Sequence, residues 1–108
     1  MAQQSKKKDV ITENTKLINR ASFLVRSVQN PVRQKLLRQI MREGEVPVHA
    51  LVSRQQQEQS IVSQHLGILR EAQLVRTRRD GKLIYYSMNV RNFKRIIKLI
   101  QAISAGTE

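Results

Sequence analysis

At 108 residues the chain has length for one small domain, and its 20 Lys+Arg against 8 Asp+Glu give a formal net charge of +12 and a pI near 11.2. Such a surplus points to a polyanionic partner, with nucleic acid ahead of an anionic membrane surface. No apolar run approaches the roughly 20 residues of a spanning helix and Trp is absent as an interfacial anchor; the lack of Cys excludes disulfides, thiol redox sensing and thiolate metal sites.

The opening MAQQSKKKDV is basic but is followed by no apolar stretch of signal-peptide type, so a cytoplasmic location is expected. Residues 1–9 read as a disordered basic arm, in which Lys6, Lys7 and Lys8 either solubilise the chain or touch phosphate. A single domain is expected over 10–106. From about Ile11 to Val28, the residues Leu17, Ile18, Ala21, Leu24, Val25 and Val28 recur at helical spacing and predict a long, one-faced first helix. Asn30-Pro31 then supplies an N-cap and a first-turn proline, and Val32, Leu36, Leu37, Ile40 and Met41 run to Gly44 as a C-terminal stop. A short third helix is expected from Glu45 to about Val52, with Pro47 near its start. The polar stretch 53–58 lacks the usual corner glycine of a helix-turn-helix, which leaves an irregular turn or a longer helix open.

Residues 60–86, SIVSQHLGILREAQLVRTRRDGKLIYY, are the most specific part of the chain. At 100° per residue Val62, Leu66 and Leu69 share one helical face, while Ser60, Ser63, Gln64, Gly67 and Glu71 spread over the other. The second face carries hydroxyls, an amide and a glycine where a solvated helix more often carries Lys and Glu; these groups suit close approach to a duplex. Two β-rich runs, Leu74–Arg79 and Lys82–Met88, flank Asp80-Gly81 and predict a hairpin with a type I′ turn. In that register Arg79 faces Lys82, Arg78 faces Leu83 and Arg76 faces Tyr85, a gathering of cations that a nearby phosphate backbone would relieve.

A last helix is expected from about Arg91 to Ser104, with Phe93, Ile96, Ile97, Ile100 and Ile103 as its apolar stripe and Lys94, Arg95 and Lys98 outside. Two terminal stripes in so small a chain favour a homodimer through Leu17, Ala21, Leu24, Val28, Phe93, Ile96, Ile97 and Ile100, with an intramolecular α-bundle as the alternative. His49 and His65, with few nearby carboxylates, could hold a metal only weakly or across a dimer, so no metal site is expected, and His65, at the border of the packed face, reads as a partly buried hydrogen-bonding residue or a phosphate contact. No Gly-rich phosphate loop, nucleophile–base pair or paired carboxylates appear, so no enzyme and no cofactor are expected. The predicted fold is mainly α with a small β-hairpin, a winged helix-turn-helix of order α-α-α-α-β-β-α.

These residues resemble the ArsR/SmtB family of bacterial winged-helix regulators. NPVRQKLLRQIMREGEV is similar to the family's second helix, and EQSIVSQHLGILREAQLVRTRRDGKLIYY to its recognition helix and wing, with the S-x-x-V-S-x-H-L core, L-x-x-A-x-L-V, a charged tip and a tyrosine pair. The resemblance implies a repressor that dimerises through its first and last helices, binds an imperfect palindrome in a promoter and leaves it when an inducer, not identified by these residues, binds. It departs from the metal sensors: EVPVHAL puts Pro47 and His49 at their two cysteine positions, and the last helix offers Asn89, Arg91 and Asn92 in place of Asp, His and Glu ligands. Gln56 replaces the corner glycine and Glu58 a capping Ser. The resulting assignment puts Ser60, Ser63, Gln64 and Gly67 in the major groove, and Arg54, Gln59, Arg70, Arg78, Arg79 and Lys82 on phosphates or the wing's groove. The alternatives are a charge-driven, nonspecific nucleic-acid binder and a winged-helix protein-interaction module.

Overall fold

The computed structural model describes residues 9–106. The N-terminal arm, expected over 1–9, therefore lies outside the described residues except for Asp9, whose side chain accepts from the backbone N–H of Ile11 at 3.0 Å and caps the first helix. The long first helix of the sequence reading is divided. Helix α1 spans Val10–Glu13 and α2 spans Thr15–Ser27, with Asn14 at φ −106°, ψ 8° between them. The Asn14 side chain donates to the Val10 carbonyl at 2.6 Å. Asn competes in this way for backbone acceptors that a helix would use itself.

Helix α3, Pro31–Glu43, has the predicted boundaries. Asn30 Oδ1 accepts from the N–H groups of Val32 and Arg33, Pro31 fills the first turn, and Gly44 ends the helix at φ +88°, which a side chain would strain. The next segment corrects the expected third helix. Glu45–Pro47 forms a strand, β1, and only Val48–Gln55 forms helix α4. β1 pairs antiparallel with β3, Leu83–Met88, which also pairs with β2, Val75–Asp80, giving a three-stranded sheet of order β1-β3-β2. The strand forms because Val46 is buried opposite Tyr86 while its neighbours point away, a partner that lies forty residues downstream.

Helix α5, Gln59–Glu71, and the closing helix α6, Val90–Ala105, complete the chain. The core joins Leu36, Leu37 and Ile40 of α3 and Leu51 of α4 to Val62, Leu66 and Leu69 of α5, with Leu74, Val75, Tyr86 and Ile96 around them. Each fully buried Leu of this set contributes about 1.5–3 kcal/mol relative to exposure. Ile96 is 2% exposed within the single chain, so this member of the expected dimer face is instead a core residue of the protomer. Leu24, Val28, Phe93 and Ile100 pack partly against the core, Ala21 and Ile97 are half-buried, and Leu17 is 68% exposed.

Candidate nucleic-acid interface

The site is built on α5. Its buried face is Val62, Leu66 and Leu69, and its outward face presents Gln59, Ser60, Ser63, Gln64, Gly67 and Arg70, all exposed, as the periodicity predicts. A Cβ on Gly67 would meet nothing within 4 Å, so its open surface leaves room for a partner's backbone. The turn into α5 settles the open question about 53–58. Helix α4 stops at Gln55, Gln56 takes a left-handed conformation at φ 53°, and Glu58 caps α5 without a side-chain hydrogen bond. Gln therefore occupies a backbone state that glycine adopts at lower cost. Arg54 stands exposed in the last turn of α4, close in sequence to this corner.

Three interactions invisible to periodicity fix the orientation of α5. Arg33, only 9% exposed, donates through Nε to the Ser27 carbonyl at 2.8 Å and through its terminal nitrogens to the Arg26 carbonyl at 3.0 Å and to His65 Nδ1 at 3.1 Å. A guanidinium cannot accept, so Nδ1 is the acceptor and the proton of the neutral ring sits on Nε2. Burial, with the neighbouring Arg33 charge, holds the His65 imidazolium below the usual histidine range. His65 is thus half-buried and internally bonded, the first of its two sequence readings. At the other end of α5, Arg20 of α2 donates to the Glu71 carbonyl at 3.1 Å, and Asn92 of α6 donates to the carbonyls of Ala72 and Gln73 at 2.9 and 3.0 Å. Both terminal helices therefore hold the C-terminus of α5, where four carbonyls lack helical partners.

The wing differs in register from the expected one. Asp80 pairs with Leu83, Arg79 with Ile84, Arg78 with Tyr85 and Arg76 with Ser87, so the loop is Gly81-Lys82. Gly81 at φ +62° is the one residue of that loop with positive φ, the pattern of a type II′ turn with glycine first. The loop moves by one residue and every partner on β3 by two, which removes the expected Arg79–Lys82 opposition and places each arginine across from an uncharged residue. By strand alternation Val75, Thr77 and Arg79 point to the side of the sheet that packs on the helices, while Arg76, Arg78 and Asp80 point to the other. The predicted wing cations are therefore divided. Arg79 shares its side with α5, Lys82 sits at the tip, and Arg78 is bound on the far side to Glu45 Oε1 and Oε2 at 2.8 and 2.9 Å. That hydrogen bond holds the Glu45 carboxyl below its ordinary range and raises Arg78 above its own. Among the described residues no group of three or more His, Cys, Asp or Glu is placed to hold a metal ion, and no helix is long and apolar enough to cross a membrane.

A helix with a polar outer face that includes an open glycine, packed on the core after a tight turn from α4 and followed by a basic hairpin, defines a winged helix-turn-helix DNA-binding protein. The family model "Bacterial regulatory protein, arsR family" matches residues 30–77. The chain is 33% identical over 87 residues to the biofilm growth-associated repressor of Agrobacterium fabrum, covering 81% of this chain and 74% of that one. It is 31% identical over 84 residues to the transcriptional activator HlyU of Vibrio cholerae, covering 78% and 77%. The crystal structure of NolR from Sinorhizobium fredii superposes with a TM-score of 0.68 at 31% identity over 92% of this chain and 95% of that one. The chain belongs to the ArsR family and is a DNA-binding transcription regulator.

Proposed function

We propose that the protein is a homodimeric, sequence-specific repressor that binds an imperfect palindrome in promoter DNA. The observation that carries the reading is the exposed Ser60, Ser63, Gln64 and Gly67 face of α5, whose inner side is bonded to Arg33 through His65, followed in the chain by a hairpin that carries Arg79 and Lys82. In this reading Ser60, Ser63 and Gln64 contact base edges in the major groove, Gly67 admits the backbone closely, and Arg54, Gln59, Arg70, Arg79 and Lys82 engage phosphates or the wing's groove. A repressing role is supported by the repressor from Agrobacterium fabrum. Acting on DNA, it works in the cytoplasm.

Dimerisation is supported by apolar surface that the single chain leaves uncovered. Leu17, Ile18 and Ile103 are 68%, 46% and 51% exposed. Beside them an open groove of about 820 Å³ is lined by Val25, Val28, Leu37, Phe93, Ile97 and Ile100, among others. Two copies joined there would present two α5 helices to successive major grooves, about 35 Å apart on one side of the duplex.

Selection from a random duplex pool at about 150 mM salt, followed by anisotropy titration, tests the proposal. Enrichment of a two-fold symmetric motif with half-sites one helical turn apart is the expected result. Tight binding without enrichment would replace it with a charge-driven binder, and no binding would turn attention to protein partners.

A further inference from the structure

One side chain on the far side of the wing bridges all three strands. Arg78 is rooted in β2 and lies across the ladder from Tyr85 of β3, and its guanidinium carbon stands 4.7 Å from the Tyr85 ring centroid. Beyond the ring it reaches β1, where Nε donates to Glu45 Oε2 at 2.9 Å and a terminal nitrogen donates to Glu45 Oε1 at 2.8 Å. Asp80 Oδ2 lies 3.9 Å from its other terminal nitrogen. Among the described residues the ion pairs are these two, both made by Arg78, whereas Arg79 and Lys82 have no carboxylate partner. A fork-to-fork guanidinium–carboxylate pair offsets the charge and fixes the plane of the group, and stacking on an aromatic ring fixes it further.

We propose that Arg78 is a positioning residue for DNA binding and makes no phosphate contact of its own: through Tyr85 and Glu45 it pins the hairpin to β1, and so to the end of α3. A projecting hairpin is marginally ordered by itself, and ordering it at the moment of binding costs affinity. The latch supplies that order beforehand and presents Arg79 and Lys82 at a set position relative to α5. The inference rests on the DNA-binding reading of the preceding subsection.

The test is the affinity for one fixed duplex across a salt series, read by anisotropy, for wild type, Arg79→Ala, Arg78→Ala, Arg78→Lys and Glu45→Ala. A lost phosphate contact lowers the log–log salt slope by about 0.9, the change expected for Arg79→Ala. Arg78→Ala is expected to weaken binding with the slope unchanged, and Arg78→Lys to weaken it too, because an ammonium cannot make the fork. Glu45→Ala is the sharpest variant, since it removes a negative charge from a protein that binds a polyanion. Charge alone predicts tighter binding, whereas the latch predicts binding weaker by about two- to fivefold, the range of a well-formed exposed pair. Combining Glu45→Ala with Arg78→Ala should then be no weaker than Arg78→Ala alone, and an additive loss overturns the latch. A slope reduced by about 0.9 in Arg78→Ala, or tighter binding by Glu45→Ala, overturns the proposal. If wild type binds no duplex, the DNA reading has failed, and the latch is read from amide hydrogen exchange at Gly81 and Lys82. Faster exchange in Glu45→Ala supports it and unchanged exchange overturns it.

Discussion

Replacing Arg33 by Ala removes the group that ties α2, α3 and α5 together. The guanidinium satisfies the Ser27 and Arg26 carbonyls and His65 Nδ1 at 2.8, 3.0 and 3.1 Å, and Ser27 is itself buried. Leaving a buried acceptor without its donor costs about 1–3 kcal/mol, and water reaches part of the gap because Arg33 keeps a small exposed edge, so the loss should be about 3 kcal/mol. For a domain of this size that corresponds to a melting temperature lower by about 12–24 °C. Urea unfolding at fixed protein concentration measures it, the concentration being held because self-association would couple to stability. Arg33→Lys should recover little, since one ammonium cannot reach three acceptors on two helices in the geometry of a planar fork. A loss below about 1 kcal/mol for Arg33→Ala would refute the reasoning, because the acceptors would then be served as well by water.

Leu66→Ala, at a fully buried position beneath α5, should cost about 2–5 kcal/mol in the same unfolding assay, and a cost under 1 kcal/mol would mean that the core collapses around the gap. Gln56→Gly should stabilise by up to about 1 kcal/mol, seen as a higher melting temperature, because the left-handed corner penalises a side chain. The depressed His65 pKa carries a definite sign: as pH falls through about 6.5 the unfolded chain takes up a proton that the folded chain refuses, so stability should fall below that pH by at most about 1.4 kcal/mol per unit. His65→Gln should remove this component, and an unchanged pH profile in the variant would refute it. Gln64→Ala should alter which sequences are enriched in a selection, whereas Arg79→Ala should weaken all of them alike; equal losses across sequences for both would count against that division of roles.

Much of the candidate interface was legible in the order of residues because helical and strand periodicity are local. The separation of Val62, Leu66 and Leu69 from Ser60, Ser63, Gln64 and Gly67 needs nothing beyond 100° per residue, and the bounds of α3 follow from Asn30, Pro31 and Gly44 acting on their own neighbours. The hairpin was legible as well, but its register was not. Asp80-Gly81 and Gly81-Lys82 are both acceptable two-residue loops, and both put Val75 and Tyr86 on the same face of the sheet, so alternation of buried and exposed residues does not choose between them. The sole local trace of β1 was one apolar residue between Glu45 and Pro47, too little to distinguish a strand from a helix start.

The class of protein was already written in local features: a basic, cysteine-free chain with a two-faced helix and a Gly-tipped basic hairpin, all set by side-chain chemistry and short-range geometry. Tertiary structure alone decided which cations are free and which are bound. Glu45 meets Arg78, Arg33 meets His65, and Arg20 meets the end of α5 across separations of 33, 32 and 51 residues, distances over which no periodicity carries information. It also decided that Ile96 serves the core while Leu17, on the other terminal stripe, stays exposed. Hydrophobic pattern defines a face, and only the packing of the whole chain determines what that face meets.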